Sequence, residues 1–427
     1  MISALLPRLV PRGYRPALAD RRFRRLLPAL AASDLGDGMS TVAVAWLAVE
    51  LAPPGAAGPL IAAALVAYVL PGALGGVLLG RRLQPMPPQR LMRADALLRA
   101  VLLGCVPVGQ ALGLLHPAVF VALLAGSSLL HAWGGGARYA LVARLLPAEH
   151  RLAANALLST GVWVSTVVGP ALAGLLAGPL GPAGIIGLDA ASFGLLALRA
   201  GRTEVPDDAP APTGTRLRDG LRVLRARPEL LGLTAVTWLF NLCYGPVEVA
   251  LPLFVGEELR AGAGLLGAYW AVFGLGAVAG AVTVGALRRL PLRPVLLGIV
   301  AGHGVAMLSF GPHGPAAVSL AGFAAGGVVY GPYSALVSHL FQERTPQAWL
   351  TTVLALRGTV LLTAAPTGAA LGGVLAGPLS PRQVLVGTGL AMVAVAAVAA
   401  LVLVRRAPSA GGGRARHPGA GPLPTIE

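Results

Sequence analysis

The sequence predicts an all-α polytopic membrane protein, with twelve transmembrane helices in two pseudo-symmetric six-helix bundles. Three observations carry this. The 427 residues are 56% hydrophobic and only 12% charged, with a mean hydropathy of +0.74. A soluble domain carries about 25% charged residues, so an aqueous core cannot hide this much apolar surface and the bilayer must be the solvent. The arginines fall in alternate loops. Short stretches of the first half return in the second in the same order.

Apolar runs of the length a bilayer demands, about 20 residues, begin near Leu26, Pro59, Ala94, Pro117, Leu152 and Pro182, then near Leu230, Gly264, Pro294, Pro315, Trp349 and Gln383. A basic N-terminus (1–25) precedes the first bundle (26–200). A central loop (201–229) separates it from the second bundle (230–404), and a Gly/Pro/Arg tail (405–427) closes the chain. Within the central loop, Thr203 to Thr215 is Pro-rich and acidic, a composition that buries too little to fold. Leu217, Leu221 and Leu224 follow at helical spacing among arginines, as in an amphipathic helix lying on a membrane. The run Ile2 to Leu6 stops at Pro7 with no basic region before it, so no cleavable signal is expected.

The net charge of +16 comes from arginine alone; the chain has no lysine. Arg8, Arg12, Arg15 and Arg21 to Arg25 precede the first helix, and Arg202 to Arg227 occupy the central loop. Arg81, Arg82, Arg90, Arg93, Arg144, Arg151, Arg288, Arg289, Arg293, Arg344, Arg405 and Arg406 fall on the same side. Only Arg260 and Arg382 fall on the other. The positive-inside rule then puts both termini in the cytoplasm. It also accounts for the charge through topology and lipid headgroups, leaving nucleic acid unneeded. The Arg-only, Ala- and Gly-rich composition fits a bacterial source. Cys105 and Cys243, in apolar runs, read as small hydrophobes.

Ala140-Leu141-Val142 returns as Ala335-Leu336-Val337, and Leu176-Ala177-Gly178-Pro179-Leu180 as Leu375-Ala376-Gly377-Pro378-Leu379. The Gly-rich stretch Gly72 to Arg82 reads like Gly276 to Arg289. A parallel repeat of this kind places a substrate site between its halves.

Asp34 and Asp37 are the strongest chemical signal. They stand at i, i+3 on one helix face, at a depth where an ionised acid must face water, pair with a cation or take a proton. Asp189 in the sixth apolar run and Arg357 in the eleventh are weaker candidates on the same ground. Asp95 and Arg99, at i, i+4, are expected to neutralise each other. Arg138 is read as a topology residue and Glu248 as lying near the outer surface. His131, His303 and His339 are expected to pack with hydrogen bonds. Trp46, Trp133, Trp238, Tyr244 and Tyr330, with Tyr139, Trp270 and Tyr333, are candidates to line a cavity; a helix-packing or interfacial role is as expected for each. Pro170 removes a backbone donor, so the helix is expected to bend there, while Gly161, Gly169, Gly174 and Gly178 admit a neighbouring helix.

Phe23-Arg24-Arg25-Leu26, with Ser33-Asp34-Leu35-Gly36-Asp37-Gly38, resembles the first helix of the drug- and macrolide-efflux antiporters of the major facilitator superfamily. Asn155-Ala156 and Gly169-Pro170-Ala171-Leu172-Ala173-Gly174 resemble that group's fifth helix, with Ala173 where a Gly is preferred. Gly76, Leu78 and Arg81 match the loop between helices two and three, though Gly80 stands where an Asp is usual and Leu83 where a Gly is usual. The arginine early in the fourth helix of many antiporters is missing; Leu130-His131 lies near its place.

This resemblance implies the major facilitator fold and a multi-pass protein of the bacterial cytoplasmic membrane. It implies proton-coupled export of a hydrophobic or amphiphilic small molecule, such as a drug, macrolide, siderophore or secondary metabolite, by alternating access. The alternatives are an uncoupled facilitator, a lipid flippase, or a transport-inactive scaffold or receptor. The expected partners are the substrate, protons and membrane lipids, acting on a monomer without cofactor, metal or nucleic acid. The sequence carries no GxxxxGK[ST], HExxH or GxSxG, so neither ATP hydrolysis on this chain nor an enzyme is expected.

Overall fold

Asp20 starts the first long helix. Its carboxylate accepts the N–H groups of Arg22 and Phe23, two of the donors a helix leaves open at its N-terminus. In the computed structural model, which describes residues 14–83, 85–203, 225–311, 313–345, 353–354, 356–358 and 360–406, the first half of the chain forms α1 Arg21–Leu51, α2 Ala57–Leu78, α3 Pro88–Ala111, α4 Pro117–Ser128, α5 His131–Leu145 and α6 Ala148–Gly201. The second half forms α7 Pro228–Leu253, α8 Ala263–Ala281, α9 Leu292–Met307, α10 Ala316–Tyr330, α11 Tyr333–Arg344, α12 Ala364–Leu375 and α13 Pro381–Arg406. The described residues are helical or in short connections, with no strand among them. Eight described segments are long and apolar enough to cross a membrane. The amphipathic helix expected over 216–228, the tail 407–427 and the start of the eleventh run at Trp349 lie outside the described residues, wholly or in part.

Pro170 does not break its helix. The interior residue of α6 that leaves helical angles is Gly181, with φ 65° and ψ 169°. A side chain avoids that conformation, and Pro179 and Pro182 flank it, so the turn between the fifth and sixth apolar runs falls there.

The echoes in the sequence are echoes in structure. α2 stops at Leu78 and a short helix follows at Gly80–Leu83; α8 stops at Ala281 and one follows at Val284–Leu287. α4 and α5 are separated by two residues, as are α10 and α11. Ala140-Leu141-Val142 lies in α5 and Ala335-Leu336-Val337 in α11. Each half thus breaks the same two helices in the same place.

Two seams join the halves. In one, α6 meets α8: a Cβ on Gly267 would fall 2.5 Å from Gly174 Cα, and one on Gly174 would fall 3.1 Å from the Gly264 carbonyl. In the other, α2 meets α12: a Cβ on Gly58 would fall 2.5 Å from Ala376 Cβ, and one on Gly373 2.5 Å from Ala62 Cβ. Exchanging the halves turns one seam into the other, since α2 and α8 correspond, as do α12 and the first part of α6. Both seams lie at the end of the molecule remote from the start of α1. At that same end Trp46 approaches within 3.6 Å of the Cβ position of Gly256. At the opposite end the second half is tied to itself: Glu229 pairs with Arg293 at 2.5 Å and Arg344 at 2.7 Å, and Arg227 donates to the Arg344 carbonyl.

Candidate functional site

The middle of α1 carries Asp34 and Asp37, and each takes an arginine from a different helix. Arg138 of α5 reaches Asp34 Oδ1 at 2.7 Å, with Asp34 buried and Arg138 half-buried. Arg99 of α3 reaches Asp37 at 2.8 Å through Oδ1 and 3.0 Å through Oδ2. Tyr68 of α2 donates to Asp37 Oδ1 at 2.7 Å. The Arg99 guanidinium is gripped between rings, 4.5 Å from the Phe193 centroid and 5.3 Å from that of Tyr68. A charge with its own aromatic faces and a carboxylate partner is the arrangement that makes burial of arginine tolerable.

Two expectations are corrected here. Arg99 does not neutralise Asp95: it turns to Asp37, and Asp95 Oδ1 is buried without a hydrogen-bond partner, its carboxyl packed where Gly134 leaves space. Arg138 is no loop charge but the counter-ion of Asp34. Both pairings join residues on different helices, which spacing along one helix cannot reveal. His131 also stands at the cavity rim.

Asp189 of α6 is fully buried. Its Oδ2 accepts from Ser40 Oγ of α1 at 2.6 Å, its Oδ1 lies 3.5 Å from Ser192 Oγ, and it fits against α1 because Gly36 has no side chain. No arginine pairs with it among the described residues. Arg357 lies apart from this cluster, in the second half, with its guanidinium 5.1 Å from the Phe341 centroid and its Nε without a hydrogen-bond partner. The structure therefore brings Asp34, Asp37 and Asp189 together and leaves Arg357 out.

A cavity of about 610 Å³ opens between the halves, within the 300–1,000 Å³ usual for small-molecule sites. The two walls differ. Asp34, Asp37, Arg138, Tyr139, Trp163 and Pro170 line the first-half wall. The second-half wall is aromatic: Phe240, Tyr244, Trp270, Phe273 and Tyr330. Glu248 joins them one turn beyond Tyr244 and faces the cavity, not the outer surface. Of the aromatic candidates, Tyr139, Tyr244, Trp270 and Tyr330 line it. Three others are committed to packing outside it. Trp133 Nε1 donates to the Gly75 carbonyl at 3.1 Å, Trp238 Nε1 to Thr363 Oγ1 at 3.0 Å, and Trp46 sits against Gly256. Tyr333 packs on Phe240 and Tyr330. His303 is buried, with Nδ1 3.0 Å from the Gly326 carbonyl, and His339 is exposed.

Gly169 and Gly38 set how closely α6 crosses α1: a Cβ on Gly169 would fall 2.5 Å from the Gly38 carbonyl carbon. A little further along α6, Gly174 makes the seam with α8. One stretch thus touches the acid-bearing helix, the cavity and the other half. A Cβ on Gly178 would meet nothing. Gly76 packs beside Ala132 of α5; the side chain of Arg81 lies outside the described residues.

Residues 26–360 match the family model described as Major Facilitator Superfamily. An uncharacterized MFS-type transporter, y4rN, of Sinorhizobium fredii is 28% identical over 384 residues, covering 88% of this chain and 93% of that protein. The multidrug efflux pump Tap of Mycobacterium tuberculosis is 28% identical over 392 residues, covering 87% and 90%. Among solved structures, a bacterial homologue of the human lysosomal transporter Spinster, inward-facing and unoccupied, superposes with a TM-score of 0.69 at 14% identity over 93% of this chain and 99% of that one. A bacterial homologue of the iron transporter ferroportin, in an inward-facing state, gives 0.68 at 19% identity over 90% and 98%. These likenesses concern the fold.

Proposed function

Because this chain belongs to the major facilitator superfamily, and is thus a multi-pass membrane transporter and no enzyme, we propose that it exports a hydrophobic or amphiphilic small molecule in exchange for protons. The observation that carries this reading is a cavity between the halves, closed at one end by glycine seams, with two acid–arginine pairs on its wall. The efflux-pump relative supports the export direction. The arginine distribution supports an orientation with both termini cytoplasmic and the glycine seams toward the outside. This conformation is then the one that loads substrate from the cytoplasm or the inner leaflet.

The ion pairs provide the means of coupling. While Asp34 and Asp37 are ionised, their arginines tie α1 to α3 and α5. A proton taken by either acid removes the charge that holds its arginine, and the freed guanidinium must find another anion because an unpaired charge at this depth is costly. Asp189 and Asp95 lie close enough to Arg99 to act as that anion. Asp189, which has no cation of its own, is assigned the proton in the state described here. Moving the proton from Asp189 to Asp37 moves the arginine the other way, so α1, α3 and α6 shift together. α6 carries that shift to the seam at Gly174.

The experiment is export into everted membrane vesicles with an imposed pH gradient. The reading requires uphill accumulation of a substrate that collapses when the gradient is dissipated. Equilibration of the substrate without uphill accumulation, indifferent to the gradient, favours the uncoupled facilitator, and no transport at all favours a scaffold or receptor.

A further inference from the structure

Three carboxylates reach the cavity, and two already have partners. Asp34 is held by Arg138 and Asp37 by Arg99. Glu248 has no hydrogen bond or ion pair with any described residue, although it lies on an otherwise apolar stretch of α7 and lines the cavity wall. Counted together, the two pairs cancel, and Glu248 is the cavity carboxylate left for a bound cation to pair with, on the aromatic side.

The surroundings of Glu248 suit an organic cation. Tyr244 precedes it by one helical turn, so the two share a face. From Tyr244 the rings continue: its centroid is 6.1 Å from that of Trp270 and 6.0 Å from that of Phe273, and Phe273 lies 5.7 Å from Tyr330. Ring faces attract a positive charge, most strongly where water is excluded. The arginine that lines the cavity, Arg138, is engaged on the opposite wall, 2.7 Å from Asp34.

We infer that Glu248 and the Tyr244–Trp270–Phe273 cluster form a subsite for the charged group of a lipophilic monocation, such as a quaternary ammonium or phosphonium. The inference rests on reading this cavity as the substrate site and assigns its ligand class. It also separates the acid that recognises substrate, on the second half, from the acids that handle protons, on the first. An anionic substrate is disfavoured here, since it would meet Glu248 with no free cation on that wall.

The test is equilibrium binding of radiolabelled tetraphenylphosphonium to the purified full-length chain, with neutral triphenylphosphine oxide as the uncharged comparison. Glu248→Gln keeps the shape of the side chain and removes its charge. It should weaken phosphonium binding roughly tenfold or more, the scale expected for a desolvated charge contact. It should leave binding of the oxide unchanged, and Glu248→Asp should retain most of the phosphonium affinity. Equal phosphonium binding by wild type and Glu248→Gln, or none by wild type, overturns the inference. So does an equal loss of both ligands, which would mark Glu248 as a packing residue. Binding at equilibrium needs no gradient, so these outcomes stand apart from the vesicle assay: a chain that binds the cation through Glu248 yet transports without protons refutes only the coupling.

Discussion

Asp37 is bound by Arg99 of another helix at 2.8 Å, while Asp95, one turn from Arg99 on its own helix, is left without that partner. The geometry of Arg99 decides between the two. Packed against the rings of Phe193 and Tyr68, its guanidinium reaches Asp37 on α1, and the Tyr68 hydroxyl donates to the same carboxylate oxygen. The link therefore tightens the packing of α1, α2, α3 and α6 at one point.

Removing one member of such a pair leaves the other as an uncompensated charge, which costs about 3–5 kcal/mol when both are buried. Asp37 retains 27% exposure toward the cavity, so the lower end of that range applies. Arg99→Ala should lower the melting temperature of the purified protein sharply, and Arg99→Ala/Asp37→Asn should regain much of the loss. Additive losses in the double variant would show that the pair is not a stabilising unit.

The α6–α8 seam depends on two glycines meeting. A leucine at Gly267 cannot be housed beside Gly174 Cα, so the seam must open. The measurement is the distance between spin labels at Pro54 and Leu379, on the two halves at the seam end. It should lengthen in Gly267→Leu and shift the population toward the opposite-facing state. An unchanged distance with normal folding would mean that the seam tolerates bulk and does not gate.

The proposed orientation rests on arginine placement. In a background with Cys105 and Cys243 replaced, single cysteines at Pro53, His116, Gly181, Glu257, His313 and Ser380 should react with an impermeant thiol reagent added to intact cells. Labelling of most of them only after lysis would reverse the topology, and with it the direction of transport.

The fold was legible because it rests on quantities that a sequence states directly. Apolar run length sets the spans, arginine asymmetry marks alternate loops, and the echoes mark the halves. Gly181, where α6 turns, directly precedes Pro182, where the sixth apolar run begins. Helix starts moved by a few residues where a cap decided them, as Asp20 does for α1. The site was legible only in part. Asp34, Asp37 and Asp189 stand out because an acid inside an apolar run is costly whatever surrounds it. Their partners do not, since Arg99 and Arg138 reach them across 62 and 104 residues of chain. Local spacing offered Arg99 a plausible but different acid. Glu248 reads as near the outer surface from sequence because it falls late in the seventh apolar run. In the structure α7 continues through it to Leu253, and a further turn of wider helix follows at Phe254–Glu258.

Asp189 separates a proton role from a structural one. Asp189→Asn keeps a group that can bond to Ser40 but cannot exchange a proton. It should fold and bind substrate, lose uphill accumulation in everted vesicles, and retain exchange down a substrate gradient. Normal uphill export by this variant would move the coupling to Asp34 or Asp37, whose Asn variants form the companion measurements.

The central claim, that substrate leaves in exchange for protons held by the acids around α1, is tested most directly by adding a transported substrate to the purified chain in weakly buffered detergent solution and recording the pH. The account predicts proton release that saturates with substrate in the wild-type protein and is abolished when Asp34, Asp37 and Asp189 are all replaced by Asn, with substrate still bound. Saturable binding without any proton release by the wild-type protein would contradict it.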